Sequence, residues 1–232
     1  MALTRRTTHA VNGAGRHRGA QAGAGLARTV FIDKDGTLVE DVAYNADPAL
    51  LQLRPAAAEA LAMLAGAGYA LVVVTNQSGI ERGYFTRAQF AHVEAEIARQ
   101  LREAAGVALL DIVLCPHAPA PDGTPRCPCR KPAPGMLLRA ALTHRLDLQR
   151  SWMIGDGLDD VEAGRRAGCR TVLISNPHGI NKDSINKSGS GETSLRMSGM
   201  RTPDARCEDW DEVARAILGS TTANAGSEVS HG

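Results

Sequence analysis

The sequence predicts an α/β protein built on a doubly wound parallel sheet of Rossmann type, and three observations carry that prediction. Strand-length apolar runs alternate with segments of helical periodicity, five strands deep and without an internal repeat. The main strand runs are continuously apolar, the pattern of strands covered on both faces. Several of them end in chemistry-bearing polar residues, which a parallel sheet gathers along one edge.

The first 28 residues carry five arginines and a Gly/Ala-rich middle, with no acid before Asp33. This composition predicts a disordered tail over 1–27; a start codon called too early explains it equally well. Arg5-Arg6 is not followed by an apolar segment, so no export signal is expected. Thr29–Ile32, β-branched or aromatic, read as the first strand, which runs into Asp33 and Asp35. If the chain stays extended there, both acids leave on one side and Lys34 on the other. Gly36 then permits a sharp turn. Taken alone, an Asp-x-Asp-Gly stretch fits a capped turn or half of a calcium loop equally well.

Pro55 suits a first helical turn, and Ala56–Ala65 read as a helix ended by Gly66 and Gly68. Tyr69–Val74 form the second strand, which ends in Thr75-Asn76-Gln77-Ser78-Gly79. Thr86 and Gln89 resemble a capping box opening a helix to about residue 105, with Phe90, Val93, Ile97 and Leu101 on one stripe. Ala108–Leu114 is the third strand. Residues 115–133 are Pro- and Cys-rich and irregular. A helix over 134–145 turns Met136, Leu137, Ala140 and Ala141 inward. The fourth strand is 152–156, a helix over 159–167 is closed by Gly168, and 171–174 is the fifth strand. This core, 28–179, is followed by an aperiodic Asn/Ser/Gly/Lys segment over 180–206, expected to be a flexible insertion. A last helix falls within 207–219, and 220–232 is expected to be a disordered tail. One domain is expected, with its irregular loop pinned by a metal.

With 26 basic and 25 acidic side chains, nothing favours nucleic acid or an anionic membrane as partner. No apolar run approaches a membrane span. The cysteines number five, and three of them fall within fifteen residues of one another beside a histidine. That usage points to metal rather than disulfides, and to the cytoplasm.

In a parallel sheet Asp33, Asp35, Thr75, Asp156 and the loop residue Lys131 converge on one crevice. Three acids repel one another, so the site calls for a cation, and oxygen ligands suit Mg²⁺. With Lys131 and Thr75 beside it, such a site suits a phosphoryl group. In isolation Lys131 would be a surface lysine and Thr75 a strand-end residue. Asp159 and Asp160 open a helix and fit either its dipole or a supporting role. A second constellation is Cys115-Pro-His117 and, nine residues on, Cys127-Pro-Cys129. Two i, i+2 pairs of soft ligands suit a closed, tetrahedral, structural zinc that pins the loop carrying Arg130-Lys131. The plainer alternative is a set of buried cysteines with a chance histidine.

Asp33-Lys-Asp-Gly-Thr, the apolar run ending in Thr75, Lys131 and Gly155-Asp156 together resemble the four motifs of the haloacid dehalogenase (HAD) superfamily phosphatases, over roughly residues 28–179. The resemblance implies that Asp33 attacks phosphorus to form an aspartyl-phosphate. It makes Asp35 the general acid and base, and gives the phosphoryl oxygens to Thr75 and Lys131. Mg²⁺ would sit on the Asp33 carboxylate, the Asp35 carbonyl and Asp156. Val-Val-Val-Thr-Asn-Gln-Ser-Gly-Ile, Arg-Gly-Tyr-Phe-Thr, Cys-Pro-His and Cys-Arg-Lys-Pro-Ala-Pro-Gly-Met narrow the likeness to the zinc-bearing branch. There the chain is similar to the D-glycero-D-manno-heptose 1,7-bisphosphate 7-phosphatase family. That likeness implies that Asn76, Gln77 and Ser78 line the sugar site, that Arg130 meets the substrate's second phosphate, and that the product feeds nucleotide-activated heptose. Its nearest rival is histidinol-phosphate phosphatase. A receiver or scaffold domain with a phosphorylatable aspartate is the non-enzymatic alternative, disfavoured by the second carboxyl, Asp35. A DNA 3′-phosphatase is disfavoured by the neutral charge. Gly157 stands where relatives often carry lysine, which leaves the anomer open. The segment after His178 departs from the family's ending. A monomer acting on a small sugar phosphate is expected.

Overall fold

A computed structural model describes residues 26–176 and 199–225, with side chains through residue 220. The strands are β1 (Ala27–Ile32), β2 (Ala70–Asn76), β3 (Asp111–Cys115), β4 (Leu146–Gly155), β5 (Arg170–Ile174) and β6 (Ala205–Cys207). They form one sheet in the order β3-β2-β1-β4-β5-β6, with every pairing parallel. The strand order reverses between β1 and β4, the place where an open parallel sheet leaves a crevice at its carboxyl edge.

Alternation along the strands feeds two cores. Val30 and Ile32 of β1, with Leu71, Val73, Trp152 and Ile154, pack against α1 (Ala57–Gly66), α2 (Arg87–Ala105) and α5 (Trp210–Ala225). Phe31, Val72, Val74 and Met153 pack on the other face with Met136, Leu137 and Ala140 of α3 (Gly135–His144) and with Ala163 and Ala167 of α4 (Leu158–Ala167). Each central strand is therefore buried on both faces, which is why its sequence is continuously apolar.

The anticipated stripe of α2 is fully buried, and its capping box forms between Thr86 and Gln89. Elsewhere the boundaries move. Helix α1 begins only at Ala57, because Ala56 takes a left-handed φ of 59° and so caps the helix rather than joining it. Strand β4 begins at Leu146, six residues before the expected start, since Leu146 and Asp147 already pair with Ala27 and Arg28. The register then shifts, and Ser151 Oγ accepts the Thr29 N–H at 2.8 Å where the ladder is interrupted.

The largest difference lies at the end of the chain. A sixth strand occupies 205–207, at the end of the segment read as a flexible insertion over 180–206 and one residue into the segment expected to hold the last helix. Three residues, Ala-Arg-Cys, carry no periodicity, so only pairing with β5 reveals them. Residues 199–209 lie along the core: Arg201 pairs with Glu162 and Asp159, and Asp204 accepts from Thr171 N at 2.7 Å. Helix α5 also runs past the expected limit of 219 to Ala225, into the segment read as a tail. Residues 1–25, 177–198 and 226–232 lie outside the described residues, so the expected N-terminal tail up to residue 25, the body of the insertion and the end of the chain fall there, whereas Ala27, counted in that tail, already belongs to β1 by pairing with Leu146.

Candidate active site

Strand β1 ends at Ile32, and the Asp33 N–H continues the ladder by donating to Ile154 O at 2.9 Å. The chain then turns at once. Lys34 O accepts from both Leu38 and Val39, and Gly36 takes a φ of +83°. Extended alternation therefore fails after Asp33, and Lys34 folds back to contact Asp35 Oδ1 instead of leaving on the opposite side. A Cβ at Gly36 would lie 2.3 Å from Asp156 Oδ2, so the backbone of the turn runs directly against the Asp156 carboxylate. Beneath the turn, Arg54 donates to Gly36 O and Ser175 O at 2.9 Å, and Trp210 Nε1 donates to Thr37 O at 3.0 Å.

Lys131 is 3% exposed and reaches under the carboxyl edge of the sheet. Its ammonium lies 2.5 Å from Asp33 Oδ1 and 2.7 Å from Asp160 Oδ1, and it donates to Val74 O at 3.0 Å. Burial alone would lower its affinity for the proton, yet Asp160 and Asp33 hold it above its ordinary value. Asp33, Asp156 and Asp160 place carboxylate oxygens within 4.8 Å of one another. Among the described residues Lys131 alone bridges Asp33 and Asp160, so two carboxylates share one ammonium, and burial with the neighbouring acids raises Asp160 despite its lysine. An all-oxygen set with surplus charge fits a hard divalent cation such as Mg²⁺. Asp160 is the member of this group whose role the sequence left undecided. Its other oxygen accepts from Gly157 N at 3.1 Å, and a Cβ at Gly155 would lie 2.3 Å from its carboxyl carbon. The Gly-Asp-Gly at 155–157 was the available signal. Asp159, by contrast, faces outward to Arg201.

Asp35 is 23% exposed in its side chain. Burial raises its carboxyl above the ordinary range; Lys34 opposes and the Asp33 charge adds. Thr75 is buried at the end of β2, with Oγ1 2.8 Å from Gln77 Nε2. Gln77, expected on a substrate-lining turn, is itself buried and donates to Asp35 Oδ2 at 2.8 Å. Asn76 also turns toward the protein: it accepts from Lys131 N at 3.1 Å and donates to Lys131 O at 3.3 Å. The two bonds fix the backbone on which the buried ammonium is mounted. Ser78 is half-buried in the turn that follows.

Cys115, His117, Cys127 and Cys129 meet beside this loop. Their ligand atoms stand 3.2 to 3.5 Å apart over the contacts Cys115–Cys127, Cys115–Cys129, Cys127–Cys129, Cys115–His117 and His117–Cys129. A zinc–thiolate tetrahedron has edges of about 3.8 Å, so the set fits a zinc with a few tenths of an ångström of expansion. Burial works against it, yet hydrogen bonds from Cys129, the Arg130 N–H and Cys115 bring the Cys127 thiol down to about 7. Arg130 donates from its backbone to Cys127 Sγ at 3.3 Å and from its guanidinium to His117 O at 3.2 Å. Glu81 ties the turn after β2 to the same loop through Ala118 N and Arg126.

A HAD-hydrolase-like family model matches residues 128–188. The chain is 46% identical over 142 residues to a D-glycero-beta-D-manno-heptose-1,7-bisphosphate 7-phosphatase of Mesorhizobium japonicum, covering 60% of this chain and 65% of that one, just under two thirds. It is 40% identical over 149 residues to the enzyme of the same name from Haemophilus ducreyi, covering 63% of this chain and 82% of that one. Among solved structures, a D,D-heptose 1,7-bisphosphate phosphatase of B. bronchiseptica, complexed with magnesium and phosphate, superposes with a TM-score of 0.65 at 30% identity, covering 83% of this chain and 99% of that one.

Proposed function

The chain belongs to the D-glycero-D-manno-heptose 1,7-bisphosphate 7-phosphatase family of HAD phosphatases, and on that footing we propose that it removes the 7-phosphate of the heptose bisphosphate through an Asp33 phosphoryl-enzyme. The observation that carries the reading is the convergence of Asp33, Asp35, Thr75 and Lys131 on one carboxyl edge beside Asp156.

Lys131 holds the Asp33 carboxylate by one oxygen, which leaves the other to attack phosphorus. As that bond forms and the bond to the leaving oxygen breaks, the Asp35 proton passes to the leaving oxygen; its raised affinity for a proton favours this step. The Asp35 carboxylate then takes a proton from the water that attacks the phosphoryl-aspartate, which frees inorganic phosphate and restores Asp33. Thr75 and Lys131 sit where phosphoryl oxygens gather, and Lys131 is close enough to follow charge from Asp33 to the transferring group. Asp33, Asp156 and the Asp35 carbonyl would hold Mg²⁺, with Asp160 at the edge of the set; the ion supplies charge neutralisation for the phosphoryl group.

The zinc reading for Cys115, His117, Cys127 and Cys129 is architectural. All four positions of a tetrahedral ion would be filled by protein, which leaves none for water. Its effect runs through the loop that ends in Arg130-Lys131. Arg130 would meet the sugar's second phosphate by exchanging its neutral bond to His117 O for a charged partner. The relatives' names favour a heptose bisphosphate over histidinol phosphate, in a reaction supplying nucleotide-activated heptose in the cytoplasm. The test is phosphate release with Mg²⁺, comparing both anomers of heptose 1,7-bisphosphate with histidinol phosphate at equal concentration. A higher kcat/KM for a bisphosphate is expected. A preference for histidinol phosphate would overturn the substrate and leave the chemistry.

A further inference from the structure

Gln77 carries an inference that rests on the phosphatase reading. The residue is 5% exposed, and its amide nitrogen lies 2.8 Å from both Asp35 Oδ2 and Thr75 Oγ1. A carboxamide nitrogen has two protons held in one plane, so both are committed. The second Asp35 oxygen contacts Lys34, whose side chain is 2% exposed. The Asp35 carboxyl is thus held at both oxygens by buried side chains from two strand ends.

We propose that Gln77 is a positioning residue with two simultaneous tasks, aiming the Asp35 carboxyl at the leaving oxygen and turning the Thr75 hydroxyl proton toward the phosphoryl group. The second task follows from the donor inventory. A threonine hydroxyl has one proton and two lone pairs. Because Oγ1 accepts from Gln77, its own proton points elsewhere. A wrongly aimed carboxyl is costly because proton transfer requires hydrogen-bond reach to the leaving oxygen. Burial also separates this role from sugar recognition, since the amide protons are already spent on protein groups.

The experiment uses the full chain with Mg²⁺ and a series of phosphomonoesters that contain no sugar, with leaving groups from nitrophenol to simple alcohols. Gln77→Met keeps the length of the side chain and removes both donors. Gln77→Asn keeps the amide but shortens its reach, and it carries the test if the methionine variant does not fold. Expected is a fall in kcat/KM that grows as the leaving group becomes more basic, from a few-fold for nitrophenol to about 100-fold for an alcohol, the range of general-acid assistance. Such steepening marks lost proton delivery to the leaving oxygen. A loss equal across the series would show that proton delivery does not depend on Gln77 and would overturn the aiming of Asp35, on which the proposal stands. Unchanged rates on these esters, with a raised KM for heptose bisphosphate alone, would return Gln77 to the sugar site and overturn it as well. Failure of the wild-type chain on every ester of the series and on heptose bisphosphate, assayed beside them, would instead strike the phosphatase reading itself.

Discussion

Replacing Lys131 by methionine removes the one ammonium among the described residues that bridges Asp33 and Asp160, and the size of the effect follows from the burial of all three groups. Lys131 is 3% exposed, and the Asp33 and Asp160 side chains are 11% and 7% exposed. Breaking a buried pair and leaving its acids uncompensated costs about 3–5 kcal/mol. In addition, Val74 O loses its donor. For a chain of this size each kcal/mol moves Tm by roughly 2–4 °C, so a fall near 10 °C is expected in metal-free protein by calorimetry or thermal circular dichroism. Asp33→Asn tests the same electrostatics with the opposite sign. It removes one of three clustered carboxylates while keeping an acceptor for Lys131, so Tm in metal-free protein stays level or rises although turnover is lost. A Lys131→Met protein as stable as wild type, or an Asp33→Asn protein destabilised by more than a few degrees, would refute the picture of an undercompensated acid cluster held by one lysine.

Cys127→Ser should lower bound zinc, measured by elemental analysis of the purified protein, and should reduce both stability and activity. A variant that keeps full activity without the metal would remove zinc from the support of Lys131. Exhaustive chelation followed by Mg²⁺ alone should restore activity only in protein that has kept its zinc, as a paired activity and metal assay would record. Burial holds the Glu94 carboxyl above its ordinary 4.5, against the pull of Arg87. The folded chain then binds this proton more tightly than the unfolded chain does, so stability falls as pH rises from about 4.5 through the raised value. Glu94→Gln should flatten that fall in a Tm series across pH. Arg201→Ala should cost about 1–2 kcal/mol in a denaturant titration, less than a full pair, because Glu162 keeps Arg166.

The parts of the fold and site legible in the sequence were those where local pattern and tertiary need coincide. Continuous apolar runs gave β1, β2 and the end of β4, because those strands are covered on both faces. The capping box and stripe of α2 are local chemistry and formed as read. Strand β6 was missed because its existence depends on a neighbour far away in sequence, and β4 was shortened because Asp147, Gln149 and Arg150 disguise its start. At the site, residues singled out by spacing lie in two groups, Asp33 with Lys131 and Asp156, and the four soft ligands. What spacing does not encode is side-chain direction once a strand ends. Lys34 folded back to Asp35, Gln77 and Asn76 turned into the protein, and Asp160 rather than Asp159 entered the crevice. Each outcome was settled by a buried polar group needing a partner, a demand that appears only after packing.

The most direct test is a ³¹P NMR time course of the full-length protein with Mg²⁺ and heptose 1,7-bisphosphate. The expected result is loss of the primary ester signal at C7, growth of inorganic phosphate and an anomeric phosphate that stays in place, with no change in the Asp33→Asn variant. Loss of the anomeric phosphate, or turnover that survives in Asp33→Asn, would contradict the assignment of Asp33 as the nucleophile of a 7-phosphatase.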